Sequence, residues 1–199
     1  FPIKPRIKGG VRDLMRHKTD LDDIVKATDF PGLDLIPADF SFRNLDIAVA
    51  DTKKPMRQLM KLLRPITAEY DLLIIDSAPS ISIVSENIFY AADTLLIPLI
   101  PTPLSVRTYQ QLLDYFDKAP SRHLKLMPFF SMYDKRRELH RRLMDTLPGD
   151  FREILNTGIP ASKHVEMMGI HRAPLGHFGP QTKPAIAFEK LWREVSEQL

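Results

Sequence analysis

The chain has 199 residues, 44% of them hydrophobic, which is enough for one α/β domain with a sizeable core. Its net charge is +3 and it contains no cysteine, which excludes disulfides, thiolate metal sites and thiol nucleophiles. The apolar runs are too short to span a bilayer, and the opening FPIKPRIKGG carries prolines and charges where a secretory signal has an apolar centre.

Residues 8–11, KGGV, look like the start of a phosphate-binding loop. Such a loop closes on Gly-Lys-Ser/Thr, whose lysine reaches the phosphates and whose hydroxyl binds Mg²⁺. Here Arg12 and Asp13 follow, and the proline-containing FPIKPR is unsuited to be the buried strand before a loop. A short strand is predicted over 33–37 (LDLIP), after the Pro31-Gly32 turn. A helix follows over 54–63, where Met56, Leu59, Met60 and Leu63 recur at helical spacing. Residues 71–76 (DLLIID) form an uninterrupted apolar run closed by a carboxylate, the pattern of a strand buried on both faces.

From there strands and helices alternate: a helix over 81–92, a strand over 94–100 and a helix over 105–116. A third core strand spans 124–131, and an arginine-rich helix runs over 135–147. A short strand over 154–159 ends at Pro160, and a closing helix spans 184–198. This order predicts a mostly parallel, twisted sheet with helices on both faces, in a single domain over 1–199 with no repeat or low-complexity tract. In such a sheet ligands sit beyond the carboxyl ends of the strands. The segments to inspect are therefore 76–80, 101–105, 131–134 and 160–164.

Asp76 is the leading chemical candidate. A carboxylate at the end of a central apolar strand can hold a Mg²⁺-bound water beside a nucleotide. It can equally cap the helix that follows. The exit Ser77-Ala78-Pro79-Ser80 is small enough for backbone N–H groups to meet a phosphate. His140, His171 and His177 match no common metal-ligand spacing. Trp192, with Leu191 and Val195, reads as core packing of the last helix.

Residues 70–112, YDLLIIDSAPSISIVSENIFYAADTLLIPLIPTPLSVRTYQQL, resemble the core of the ParA/MinD partition ATPases. Three further segments agree in order: LDLIPADFSFRNLD at 33–46, FFSMYDKR at 129–136 and IPASKHVEMMGIHRAPL at 159–175. The resemblance implies a P-loop NTPase fold. It makes Asp76 the Walker B carboxylate, holding metal through water, with Ser77 and Pro79 beside the phosphates. Met132, Tyr133 and Pro160 would then border the adenine, although Met132 and Tyr133 can also simply finish a core strand.

The resemblance further implies ATP and Mg²⁺ as cofactors, a homodimer, nonspecific DNA as ligand, a ParB-like or cargo-adaptor partner, and a cytoplasmic, nucleoid-associated protein. The expected DNA contacts are Arg137 and Arg141, one turn apart opposite Leu139 and Leu143, with Lys163, His164 and Arg172. The family's arginine after Ile-Pro is Ala161 here. In the family the lysine-bearing strand–loop–helix precedes the Leu-Ile-Pro-Ala stretch by many residues, so KGGV is a chance echo of it. These 199 residues lack that element and are expected, alone, neither to bind ATP tightly nor to hydrolyse it. Two other readings are a MinD-like membrane-associated ATPase, which the mixed-charge ending LWREVSEQL does not favour, and a non-enzymatic DNA- or protein-binding module.

Overall fold

The computed structural model describes residues 10–16, 18–38, 40–52, 54–77, 82–118 and 124–199, and the chain divides into two compact units after residue 92. In the amino-terminal unit, α1 (Gly10–Met15) buries Val11, Leu14 and Met15. Gly10 enters it at φ +66°, and a Cβ there would meet Ser41 Oγ at 3.0 Å. The same hydroxyl accepts the Val11 N–H at 2.8 Å. The end of KGGV is therefore the first turn of a packed helix.

Strands β1 (Lys26–Ala27) and β2 (Asp34–Leu35) pair antiparallel around the Pro31-Gly32 turn, where Gly32 takes φ +77°. Helices α2 (Leu45–Ala50), α3 (Gln58–Leu63) and α4 (Ile83–Ala91) complete this unit. Its core joins Val11, Leu14, Leu21, Ile24, Val49, Leu62 and Ile66. Ser82 and Ser85 form a capping box at the start of α4. One turn further on, buried Asn87 accepts the N–H of Gln58 at 3.1 Å and donates to the Ile83 carbonyl at 2.8 Å. It thereby satisfies a donor at the start of α3 that the helix itself cannot pair.

The expected strand over 71–76 does not form. Residues 72–77 have no regular secondary structure and belong to no ladder among the described residues. Leu73 packs against the core, whereas Leu72 and Ile74 stay 42% and 82% exposed. A strand buried on both faces needs cover on both and hydrogen-bond partners at its edges. Here one face only is covered.

The carboxyl-terminal unit holds the parallel sheet, in order β3 (Thr94–Leu99), β4 (Lys125–Tyr133), β5 (Ile159–Pro160). Alternation along β4 sends Met127 and Phe129 toward Leu191 and Val195 of α9 (Lys183–Ser196). Phe130 points the other way, to Tyr109 of α5 (Pro103–Lys118) and Leu147 of α6 (Glu138–Asp150). The sheet is thus covered by helices on both faces, as expected. Tyr109 is fully buried, donates its hydroxyl to Glu153 at 2.6 Å and meets the Phe151 ring edge-on at 5.3 Å. Burial and that carboxylate push its phenol well above the ordinary range.

Two expectations in this unit need correction. The strand over 154–159 shrinks to Ile159–Pro160, because Ile154 and Leu155 enter the core from an irregular segment held by the Leu155 N–H on the Pro128 carbonyl (2.8 Å). Trp192 is 52% exposed, since the inward stripe of α9 is Leu191 and Val195. Helices α7 (Lys163–His171) and α8 (Leu175–Phe178) link β5 to α9. Among the described residues no helix is long and apolar enough to cross a membrane.

Candidate functional site

At the carboxyl ends of β4 and β5, Tyr133 stands in register with Pro160, and the Ala161 N–H donates to the Tyr133 carbonyl at 2.9 Å. Two sequence-predicted residues are thereby brought together. The register slips between Ser131 and Tyr133, and at the slip Met132 takes φ 54°, a left-handed conformation that costs a non-glycine residue about 1 kcal/mol. The irregularity leaves the Met132 side chain 58% exposed. Gly158, which the sequence reading passed over, permits the close approach of this segment. A Cβ there would lie 3.1 Å from the Phe130 carbonyl oxygen and 3.2 Å from the Tyr133 ring.

The turn after β4 is fastened from both sides. Asp134 accepts the backbone N–H of Arg136 at 2.9 Å and the Arg136 guanidinium at 2.8 Å. Its own N–H donates to Nδ1 of buried His140 at 3.0 Å. The other ring nitrogen, Nε2, lies 3.4 Å from the Arg137 guanidinium. The hydrogen bonds from Arg136 hold the Asp134 carboxyl down at about 2. The result is a shallow groove of about 410 Å³, lined by Tyr133, Asp134, Lys135, Arg136, Pro160 and Lys183 among others. A tyrosine ring and a proline ring at the carboxyl edge of a parallel sheet can hold a planar ligand, and the lysines and arginine at its rim can meet an anionic one.

Asp76 and Ser77 lie in the amino-terminal unit and are exposed; Pro79 lies outside the described residues. Among the described residues Asp76 makes no ion pair, so both carboxylate oxygens are available.

The expected polyanion contacts fall on two helices. Arg137 is the N-cap of α6, and Arg141 donates its N–H to the Arg137 carbonyl at 3.2 Å, one turn on. Both are exposed. Leu143 packs inward, but Leu139, expected on the same buried side, is 46% exposed. Lys163 opens α7, where the Ser162 hydroxyl caps the helix by accepting the His164 N–H at 3.2 Å. Arg172 closes the same helix in the left-handed conformation, φ 50°. Lys163 and Arg172 are therefore separated by about 13 Å of helical rise. The His171 ring lies 4.2 Å from that of Phe178.

Residues 3–127 match a family profile described as an AAA domain. The chain is 27% identical over 199 residues to the sporulation initiation inhibitor protein Soj of Bacillus subtilis, covering 97% of this chain and 78% of that protein. It is 26% identical over 190 residues to the chromosome-partitioning ATPase Soj of Treponema pallidum, covering 93% and 75%. Among solved structures, a plasmid partition protein of Borrelia burgdorferi bound to AMPPNP superposes with a TM-score of 0.79 at 16% identity, over 96% of this chain and 74% of that one. A cobyrinic acid a,c-diamide synthase of Mycobacterium smegmatis with bound ADP and magnesium gives 0.73 at 20% identity, over 100% and 76%. At such identities the structural likenesses speak to the fold alone.

Proposed function

This chain belongs to the ParA/MinD family of AAA-domain ATPases, and from that premise we propose that it acts as a ParA-type partitioning switch driven by ATP. The observation that carries the proposal is Asp76: an exposed carboxylate, free of ion pairs among the described residues, directly after an apolar run and inside the segment that matches the family. Mg²⁺ keeps several of its waters when bound, and an exposed carboxylate can accept hydrogen bonds from them, so the residue fits the metal. Asp76 would hold Mg²⁺ through water, and the bound ion would neutralise charge on the phosphates.

The chain's other residues bind and position. Met132, Tyr133 and Pro160 receive the base in the groove past β4 and β5; the family reading assigns Ser77 and Pro79 to the phosphates. The Asp134–Arg136 pair and His140 keep the Tyr133 turn in one shape. Arg137 and Arg141, with Lys163, His164 and Arg172, present charge to DNA phosphates without reading sequence. Residues 8–13, KGGVRD, do not supply the closing lysine and hydroxyl of a phosphate loop. The working form is a homodimer on the nucleoid in the cytoplasm, and a ParB-like or cargo-adaptor protein triggers its turnover.

The test is Mg²⁺-dependent ATP hydrolysis by the chain extended with a lysine-bearing strand–loop–helix. Asp76→Asn should lower kcat by about 10²-fold or more while the protein stays folded. Unchanged turnover would remove Asp76 from the reaction.

A further inference from the structure

Helix α3 has two faces of opposite character. Gln58 and Leu62 turn inward, as does Ile66 in the turn after the helix; they are 6%, 7% and 1% exposed. Lys61 lies on the outer face, Arg57 and Arg64 are the residues that cap the helix, and Lys54 sits on the turn before it, all exposed. Residues 52–68 contain no aspartate or glutamate. Among the described residues none of the four cations forms an ion pair, and the Arg57 guanidinium lies 5.2 Å from the Tyr90 ring centroid. Like charges spaced three and four residues apart on a helix repel, so this face is held at a cost that an anionic partner would remove.

The four cations rim a shallow hollow of about 480 Å³ that also includes Met60 and Thr67. Met60 is 37% exposed at its floor, and Met56 beside it is equally exposed. A purely anionic chain would pair with the rim and leave the thioethers in water. An amphipathic segment satisfies both, with acidic residues on the rim and an apolar side chain on the adaptable methionine floor. From Lys54 to Arg64 the stripe extends about 15 Å, roughly the length of three turns of a partner helix.

We propose that the outer face of α3 is a docking site for an acidic amphipathic segment of a partner protein, with its glutamates or aspartates on Lys54, Arg57, Lys61 and Arg64 and an apolar anchor on Met60. The site uses none of the residues assigned to nucleotide or DNA, so it stands or falls separately from that reading.

The experiment measures fluorescence anisotropy of the 199-residue chain with three labelled probes. These are a helical peptide of Glu and Leu that places two acids one turn apart beside a leucine, the same peptide with that leucine replaced by serine, and a random-sequence DNA duplex. The Glu/Leu peptide should bind, and Lys61→Glu with Arg64→Glu should weaken it about tenfold or more. The serine peptide and Met60→Ser should each weaken binding about fivefold. DNA affinity should be unchanged by the double substitution. Unfolding curves check the variants, and Lys61→Gln with Arg64→Gln serves if the charge reversal disturbs the fold. Failure of the Glu/Leu peptide to bind, or binding insensitive to these side chains, would overturn the proposal. So would equal binding of the serine peptide, or loss of DNA binding in the double variant, which would make the stripe a nucleic-acid contact.

Discussion

Residues 72–76 and the core of β4 carry nearly the same message, a run of apolar side chains leading to a carboxylate, yet they end in opposite states. In β4, Met127 and Phe130 are 1% and 4% exposed, with β3 and β5 alongside and helices over both faces. In the amino-terminal run, Ile74 is 82% exposed and no ladder partner lies beside it among the described residues. Apolar patterning specifies a wish for burial; neighbours on the edges and both faces decide whether it is met. Without them, backbone N–H and C=O groups are left to water, and the run stays outside any ladder.

Hydrogen exchange gives the largest expected contrast. Amides in the middle of β4 should exchange at least ~10³-fold more slowly than those of residues 72–77. Equal protection would erase the distinction. Next comes the packing that makes β4 a strand: Tyr109→Ala should cost about 3–5 kcal/mol in urea unfolding, with the loss of protection concentrated in β3 and β4. On the amino-terminal side, Asn87→Ala should cost about 1–3 kcal/mol by leaving the Gln58 N–H unpaired. Protection should fall over α3 and α4.

The smallest effect concerns the loop before β5. Glu194 accepts the N–H groups of Asn156 at 2.7 Å and Thr157 at 2.9 Å. Partial burial would raise its pKa, but these donors together outweigh burial and hold the carboxylate below its usual range. A lowered folded pKa means that the stabilisation is present above the ordinary carboxylate range and is lost as pH falls through the folded value. Glu194→Gln should therefore cost about 1 kcal/mol at neutral pH and converge with the wild type in acid, as read from thermal unfolding at several pH values. A penalty that persisted in acid would mean that shape, not charge, holds the loop.

Much of the carboxyl-terminal sheet is legible in the sequence because β3, α5 and β4 are long, strongly patterned and bounded by Pro or Asp. Tyr133 and Pro160 were legible as strand ends for the same reason. The Asp134–Arg136–His140 fastening was not, because it depends on the left-handed turn at Met132, which no spacing announces. Helix α7 is not among the predicted elements, although Ser162, its N-cap, offers a signal. Helix α2, six residues long, is too short for periodicity to show. The DLLIID run was misjudged because a sequence states what a strand is made of and not what stands beside it.

The proposed role of Asp76 is to serve a phosphate site that residues 8–13 do not complete, and isothermal titration of the 199-residue chain with Mg²⁺–ATP tests that directly. The predicted result is no saturable heat at tens of micromolar chain, with saturable binding appearing once a lysine-bearing strand–loop–helix is supplied. Micromolar affinity of the unaided chain for ATP would contradict it.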